Sequence, residues 1–251
     1  HRTMAIPTHE VAPGSNHFAP EQTHPTIQTI AKTLRWFSPQ FSPKDVPRFY
    51  DLSGITENPP AFKAMIDVFV ERYKAAGAAG PTVIVGYDAR GFVIGPPIAM
   101  ALGIPFVLLR KAGKNPGVVV ESEPFHKEYA EAAPDTMCIR VGSVKPGDRV
   151  VLIDDLIATG GTAISGFELI AGIGATVYEF AAMIVLPVCK GIDKIRQYQG
   201  GKFATVPVFT VVEDATIGDD MGRDPTGWPA DQSRVVGFAE AEALRQKFSL
   251  Q

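Results

Sequence analysis

The stretch from Val150 to Thr162, Val-Val-Leu-Ile-Asp-Asp-Leu-Ile-Ala-Thr-Gly-Gly-Thr, constrains the fold of this chain more than any other. Its first four residues are apolar with no polar alternation, the pattern of a strand buried on both faces in a parallel sheet. Two carboxylates follow at the strand's C-terminal end, and a loop of small residues opens a helix at about Thr162. Ligands of open α/β sheets bind at that edge. Glycine lets backbone N–H groups close on an anion, threonine hydroxyls donate, and a helix N-terminus adds positive partial charge. Ala158, Thr159, Gly160, Gly161 and Thr162 are therefore expected to cradle a phosphate. The loop has no lysine, so it is not a Walker A loop, and it lacks the Gly-x-Gly-x-x-Gly dinucleotide pattern. Adjacent Asp154 and Asp155 suit the vicinal hydroxyls of a ribose and can help to hold Mg²⁺. Phosphate plus diol describes a ribose 5-phosphate group. The plainer alternative, a βα turn with solvated aspartates, explains either half but not their order.

The same grammar recurs on both sides. Apolar runs rich in β-branched residues at Thr82–Tyr87, Ile104–Leu109, Arg149–Ile153, Ala175–Leu186 and Phe203–Val212 alternate with helical stretches at about Pro97–Leu102, Thr162–Ile173 and Val188–Tyr198. That alternation predicts a doubly wound α/β core over residues 81–212. Val118–Glu123 and Thr136–Val141 read as an antiparallel pair carrying a mobile insert, Pro124–Asp135. Upstream, residues 26–80 hold a short helix with Ile27, Ile30 and Leu34, followed by Trp36 and Phe37, on one face, then a proline-punctuated loop, and an amphipathic helix over Ala61–Lys74. Residues 1–25 carry four of the five histidines without periodicity or acidic companions; they are expected to be poorly ordered and outside the fold, with no metal site. Residues 213–251 read as a long loop to Asp231, a short strand at Arg234–Phe238 and a terminal helix at Glu240–Lys247.

Lys and Arg total 24 against 27 Asp and Glu, a net charge of −3 that is too balanced for an electrostatic footprint on nucleic acid or an anionic membrane. Any anionic ligand must be held by local groups. Cys138 and Cys189 are the only cysteines, which excludes a disulfide framework and points to a reducing, cytoplasmic setting. No apolar run approaches the roughly 18 residues of a membrane helix.

Residues 150–162 resemble the phosphoribosyl-diphosphate (PRPP) binding motif of the type I phosphoribosyltransferases, and their variant is similar to that of the adenine phosphoribosyltransferases. The 6-oxopurine members carry an aspartate where this chain has Ala158. Gly86-Tyr87-Asp88-Ala89-Arg90-Gly91-Phe92 resembles the loop in which those enzymes carry a cis peptide, here Asp88–Ala89, and an arginine on the diphosphate, here Arg90. A cation at a strand end in a glycine-flanked loop suits that contact. Arg110, Lys111 and Lys114, on a Gly/Pro loop after a core strand, resemble the family's basic segment; the resemblance directs them to the diphosphate and to a neighbouring subunit's site. Glu128 and Tyr129 match the family's flexible catalytic loop, with Glu128 as acid/base and Glu121, Glu123 and Glu131 as neighbours that the loose match leaves open. Val46-Pro47-Arg48-Phe49-Tyr50-Asp51 resembles the hood that binds adenine, with Phe49 stacking on the base beside Arg48; Phe49 as a core residue of the hood is an equal alternative.

The resemblance covers about Thr26–Val212, and the tail is like that of extended, kinetoplastid-type members. It implies a cytoplasmic purine-salvage homodimer that joins adenine to PRPP with Mg²⁺, giving AMP and diphosphate. A 6-oxopurine enzyme is disfavoured by Ala158. A non-catalytic PRPP-sensing regulator is disfavoured because the residues before the first helix are too few to form a nucleic-acid-binding element.

Overall fold

Order begins well before residue 26 in the computed structural model, which describes residues 6–37, 46–122, 136–218 and 235–248. β1 (Thr8–Glu10) and β2 (His17–Pro20) pair antiparallel, and β2 then joins the main sheet. The expectation of a poorly ordered segment outside the fold is thus corrected for residues 6–25. Strands this short carry no readable periodicity, and tertiary partners decide their place. The Arg196 guanidinium donates to the carbonyls of Ser15 and Asn16 on this segment and of Phe203 and Val206 opposite it. Buried His17 places Nε2 2.7 Å from Thr210 Oγ1.

The hood and the helices that support it come next. α1 (Pro25–Thr33) starts at His24, whose ring accepts from the Thr26 N–H, with Pro25 preset for the first turn. β3 (Arg35–Phe37) pairs antiparallel with β4 (Phe49–Asp51), setting Trp36 opposite Tyr50 and Phe37 opposite Phe49. The short α2 (Ser53–Thr56) leads to α3 (Pro59–Ala75), capped by the Asn58 side chain on the Ala61 N–H. The apolar stripe read in the sequence becomes its buried face, through Met65, Ile66, Phe69, Val70 and Tyr73.

The core runs through β5 (Val83–Tyr87), α4 (Gly91–Leu102), β6 (Phe106–Lys111), β7 (Val119–Glu121), β8 (Met137–Arg140), β9 (Arg149–Ile153) and β10 (Leu156–Ile157). It continues with α5 (Gly161–Gly172), β11 (Thr176–Val185), α6 (Gly191–Gln197) and β12 (Val208–Val212). The sheet order is β1-β2-β12-β11-β9-β5-β6-β8-β7, with β10 alongside β11; the strands from β2 to β6 in that order run parallel. From β5 the chain steps outward to β6, and from β9 it steps the other way to β11 and β12. The switch point therefore lies between β5 and β9, and a crevice opens beyond their C-terminal ends. One face of the sheet packs on α1, α3 and α4 through Ile84, Val151, Ile153 and Met183. The other packs on α5 and α6 through Val85, Leu152, Phe167 and Phe180.

Several elements differ from the sequence reading. Trp36 and Phe37, expected to continue the face of the first helix, lie in β3, because α1 ends at Thr33 and the chain turns extended at Leu34. α4 begins at Gly91 rather than near Pro97, because its early glycines and prolines disguise a first turn whose packing needs them: a side-chain carbon at Gly95 would fall 2.2 Å from the Phe106 ring. The last parallel strand starts at Val208 rather than Phe203. Residues 235–237 form no strand and Phe238 opens α7 (Phe238–Lys247), which buries none of its side chains among the described residues. No described helix is long and apolar enough to cross a membrane.

Burial, and then the nearby charges of Arg196 and His9, push His17 from 6.5 down to about 4. The folded state thus favours the neutral ring, and protonation favours release of β2. Its stabilising contribution is complete above about pH 6.5 and is lost as the pH falls from there toward 4, up to about 3 kcal/mol for a shift of this size. Thermal melting of the wild type between pH 7 and 4.5 should show this fall, and His17→Asn should flatten it. Parallel pH profiles for the two proteins would contradict the assignment.

Candidate active site

The crevice is built from main chain that approaches more closely than side chains permit. β5 and β9 lie side by side, with Gly86 paired with Ile153. The loop leaving β5 folds back over the end of β9, where a side-chain carbon at Gly91 would fall 2.4 Å from the Ile153 carbonyl oxygen. Within that loop the Asp88–Ala89 peptide is cis, as the resemblance implied. Arg90 Nε reaches to 3.6 Å from Asp155 Oδ2, and Arg110 Nε comes from β6 to 3.5 Å from Asp88 Oδ2. Arg110 also donates to the Lys114 carbonyl at 2.7 Å, which folds the basic loop back on itself. Asp88, Arg90, Arg110, Asp154 and Asp155 are thereby brought to one place. Lys111 and Lys114 are exposed on the same loop.

The carboxylate pair is anchored through its backbone. Asp154 N–H donates to the Ala181 carbonyl, and the Asp155 carbonyl accepts from Met183 and Ile184 on β11. Asp154 Oδ1 accepts from the Asp155 N–H at 2.9 Å, and Asp155 Oδ1 from the Leu156 N–H at 3.0 Å. Burial, then the neighbouring Asp155 charge, hold the Asp154 carboxyl well above the usual carboxylate range. Burial also raises Asp155, opposed by Arg90. Two carboxyls in this state gain from hydroxyl donors or a cation.

The next turn forms the cradle. Gly160 takes a left-handed φ of +78° ahead of α5, whose N-terminus carries no side-chain cap, so the first N–H groups of the helix remain for an anion. Behind the loop lies Gly191, the first residue of α6, backbone against backbone. A side-chain carbon at Gly191 would fall 2.2 Å from the Ala158 carbonyl oxygen, and one at Gly160 would fall 2.6 Å from the Gly191 carbonyl oxygen. Sequence reasoning placed Gly191 inside a helix over Val188–Tyr198 and gave it no role. The available signal was a glycine breaking that helical pattern, close after a core strand.

Beyond the cradle, the Leu186 N–H donates to the Ile157 carbonyl at 2.8 Å, so the wall of the next cleft is bonded to the chain that enters the cradle. This cleft, of about 500 Å³, lies between the hood and the C-terminal ends of β11 and β12, lined by Trp36, Val46, Arg48, Leu186, Val188 and Asp214 among others. Arg48 sits over the Trp36 ring at 5.0 Å and donates to the Ile217 carbonyl at 2.5 Å. Phe49, opposite Phe37, is not part of that lining, whereas Trp36, which the sequence reading set on a helix face without a role in the site, is. Glu121 is exposed on β7; Glu123, Glu128, Tyr129 and Glu131 lie outside the described residues.

Comparison with known proteins agrees with this geometry. Residues 51–219 match the phosphoribosyl transferase domain. The chain is 43% identical to adenine phosphoribosyltransferase 1 of Triticum aestivum, over 74% of this chain and 94% of that protein. It superposes on the Trypanosoma brucei adenine phosphoribosyl transferase, solved with AMP, pyrophosphate and ribose-5-phosphate, with a TM-score of 0.82 at 42% identity, covering 95% of this chain and 99% of that one. For the Leishmania donovani enzyme the TM-score is 0.83 at 42% identity, covering 94% and 98%. The yeast enzyme covers only 74% of this chain, with a TM-score of 0.64, so the likeness to the kinetoplastid enzymes takes in more of the chain. The chain belongs to the phosphoribosyltransferase family, and within it to the adenine phosphoribosyltransferases.

Proposed function

We propose that the chain transfers the 5-phosphoribosyl group of PRPP to adenine, giving AMP and diphosphate in purine salvage. The observation that carries this reading is the arrangement in a row, along the C-terminal ends of β9, β10 and β11, of a phosphate cradle, a buried carboxylate pair and a cleft of base size. Residues 158–162 hold the 5-phosphate through backbone N–H groups and the hydroxyls of Thr159 and Thr162. Asp154 and Asp155 accept hydrogen bonds from the ribose diol, which fixes C1 between the cleft and the cations. Arg90, with the Asp88–Ala89 loop, and Arg110, Lys111 and Lys114 offset the charge of the diphosphate. Adenine enters the hood cleft beside Arg48, with Phe49 shaping the hood. Its N9 attacks C1 as the bond to the diphosphate breaks, and positive charge builds on the ribose in an oxocarbenium-like state. Glu128, with Tyr129 beside it, takes the proton that the base loses, and closure of the insert excludes the water that would otherwise hydrolyse PRPP.

Among the described residues no group of three or more His, Cys, Asp or Glu could hold a metal by itself. The raised, mutually repelling carboxyls of Asp154 and Asp155 nevertheless suit a share in a hard cation, so Mg²⁺ fits as an ion carried with PRPP and completed by this pair. Bound there, it would neutralise charge on the departing diphosphate. The exposed apolar side chains of Val93 and Met100 on α4 and Leu108 on β6 support a second copy of the chain as partner, a homodimer. Cys138 and Cys189, neither of them in a disulfide, suit a cytoplasmic setting.

Incubation with Mg²⁺, PRPP and each of adenine, guanine, hypoxanthine and xanthine tests the reading: AMP should form, and the 6-oxopurines should give product at least about 100-fold more slowly, the scale set by leaving base-reading groups unpaired. Equal turnover of hypoxanthine would contradict it. Replacing Asp154 and Asp155 together by Asn should raise the PRPP KM and lower kcat by about 10- to 100-fold, at about 1.5–3 kcal/mol per charged hydrogen bond lost. Because the substitution also removes a buried repulsion, the melting temperature should stay level or rise. Glu128→Gln keeps shape but not basicity, so kcat should drop by about 10²–10⁴ with the PRPP KM little changed, while Glu121→Gln stays near wild type. A wild-type kcat in Glu128→Gln would remove it from the acid/base role.

A further inference from the structure

Residues 213–217, directly after β12, have no role in the chemistry above, yet they reach the hood. Thr216 N–H donates to the Glu213 carbonyl and Ile217 N–H to the Asp214 carbonyl, which closes them into one tight turn. Two bonds leave that turn for the hood. The Tyr50 hydroxyl donates to Asp214 Oδ1 at 2.5 Å, and Arg48 donates to the Ile217 carbonyl while its Nη1 lies 3.5 Å from the Tyr50 oxygen. Burial and the Asp214 contact raise Tyr50, so its hydroxyl keeps the proton that it donates. Arg48 and Asp214 both line the base cleft, and Ile217 is almost wholly buried beneath it.

The turn is itself held by the segment that follows β2, the neighbour of β12 in the sheet. Gln22, on the segment between β2 and α1, donates to the carbonyls of Pro20 and Val211, and its Oε1 accepts from both the Glu213 N–H at 2.9 Å and the Thr216 hydroxyl at 2.8 Å. One side chain thus ties the start and the end of the turn to the N-terminal strands. A line of direct bonds runs from Gln22 through the turn to Tyr50 and Arg48.

We infer that Asp214 is a positioning residue for base binding: with Tyr50 and the turn held by Gln22, it sets the hood backbone and the Arg48 side chain in the geometry that the base requires. This inference deepens the proposed function and rests on the reading that the base occupies the hood cleft. The line runs from Gln22 through the turn to Tyr50 and Arg48, away from the cradle and the carboxylate pair, so its effect falls on the base. Loss of Asp214 leaves the Tyr50 donor buried without its acceptor, and the hood relaxes before the base binds.

Steady-state kinetics with each substrate varied separately test it. Asp214→Ala and Tyr50→Phe should each raise the adenine KM about tenfold, the scale of one charged hydrogen bond, with the PRPP KM and the kcat at saturating adenine within about twofold of wild type. Asp214→Asn retains an acceptor oxygen for Tyr50 and should recover most of the loss. Gln22→Ala, remote from the cleft, should raise the adenine KM a few-fold and again spare PRPP. Val188→Trp, which fills the cleft from the wall opposite the hood, tests the underlying reading and should raise the adenine KM sharply. If Val188→Trp does so while Asp214→Ala and Tyr50→Phe leave the adenine KM at wild type, the positioning role is overturned and the base cleft stands. An adenine KM unchanged in Val188→Trp overturns the cleft reading and the inference with it. Equal rises in both KM values, or a fall in kcat alone, would mark general loss of structure and also overturn the inference. A wild-type adenine KM in Gln22→Ala would end the line at the turn.

Discussion

Two stretches of main chain lie closer here than side chains allow, and the geometry of this site, with the phosphate cradle proposed in it, follows from that approach. The cradle loop leaves β10, turns through the left-handed Gly160 and enters α5 with its N–H groups unspent, but an isolated loop of this kind has many conformations. Contact with the first residue of α6 selects one, because the Gly160 and Gly191 backbones meet at distances no Cβ could share. The same device brings the loop after β5 against the end of β9, at Gly91. The second contact joins the outward-running half of the sheet to the half that runs the other way, and the first locks the cradle within that other half.

Electrostatics is then arranged around that frame. A buried pair of adjacent carboxyls is a cost in the free protein, lessened but not removed by Arg90. Backbone bonds to β11 keep the pair from turning outward to water. The site therefore opposes its own charge, and on the proposed reading hydroxyl donors and a cation would relieve a repulsion that folding imposed. Arg90 and Arg110 are steadied by Asp155 and Asp88.

Much of this was legible in the sequence, for a physical reason. The cradle and the carboxylates occupy one contiguous stretch in which strand, loop and helix start each leave a local signature, and the Arg90 and Arg110 loops follow strands whose apolar runs are unmistakable. The places where the reading went astray depend on partners distant in sequence. β2 is short and polar at its start; it is in the sheet because Arg196 and Thr210, almost two hundred residues later, hold it there. Gly191 acts through a contact with Ala158 that no local pattern announces. The turn at Asp214 looks like the start of a surface loop until Tyr50 and Gln22 are set beside it. Trp36 reads locally as one more apolar residue on the face of the first helix, because its part in the cleft exists only once β3 pairs with β4.

The most direct test of this account is the AMP affinity of Gly191→Ala, measured by titration calorimetry beside the wild type, with the melting temperature as control for folding. One methyl group at Gly191 forces the Ala158 carbonyl and the Gly160 N–H away from their places while every side chain of the cradle loop stays as it is. The expected result is a folded protein whose affinity for AMP falls by at least about tenfold, the scale of about 1.4 kcal/mol lost from the phosphate contacts. A folded Gly191→Ala protein that binds AMP as the wild type does would contradict the claim that backbone approach at this point shapes the cradle.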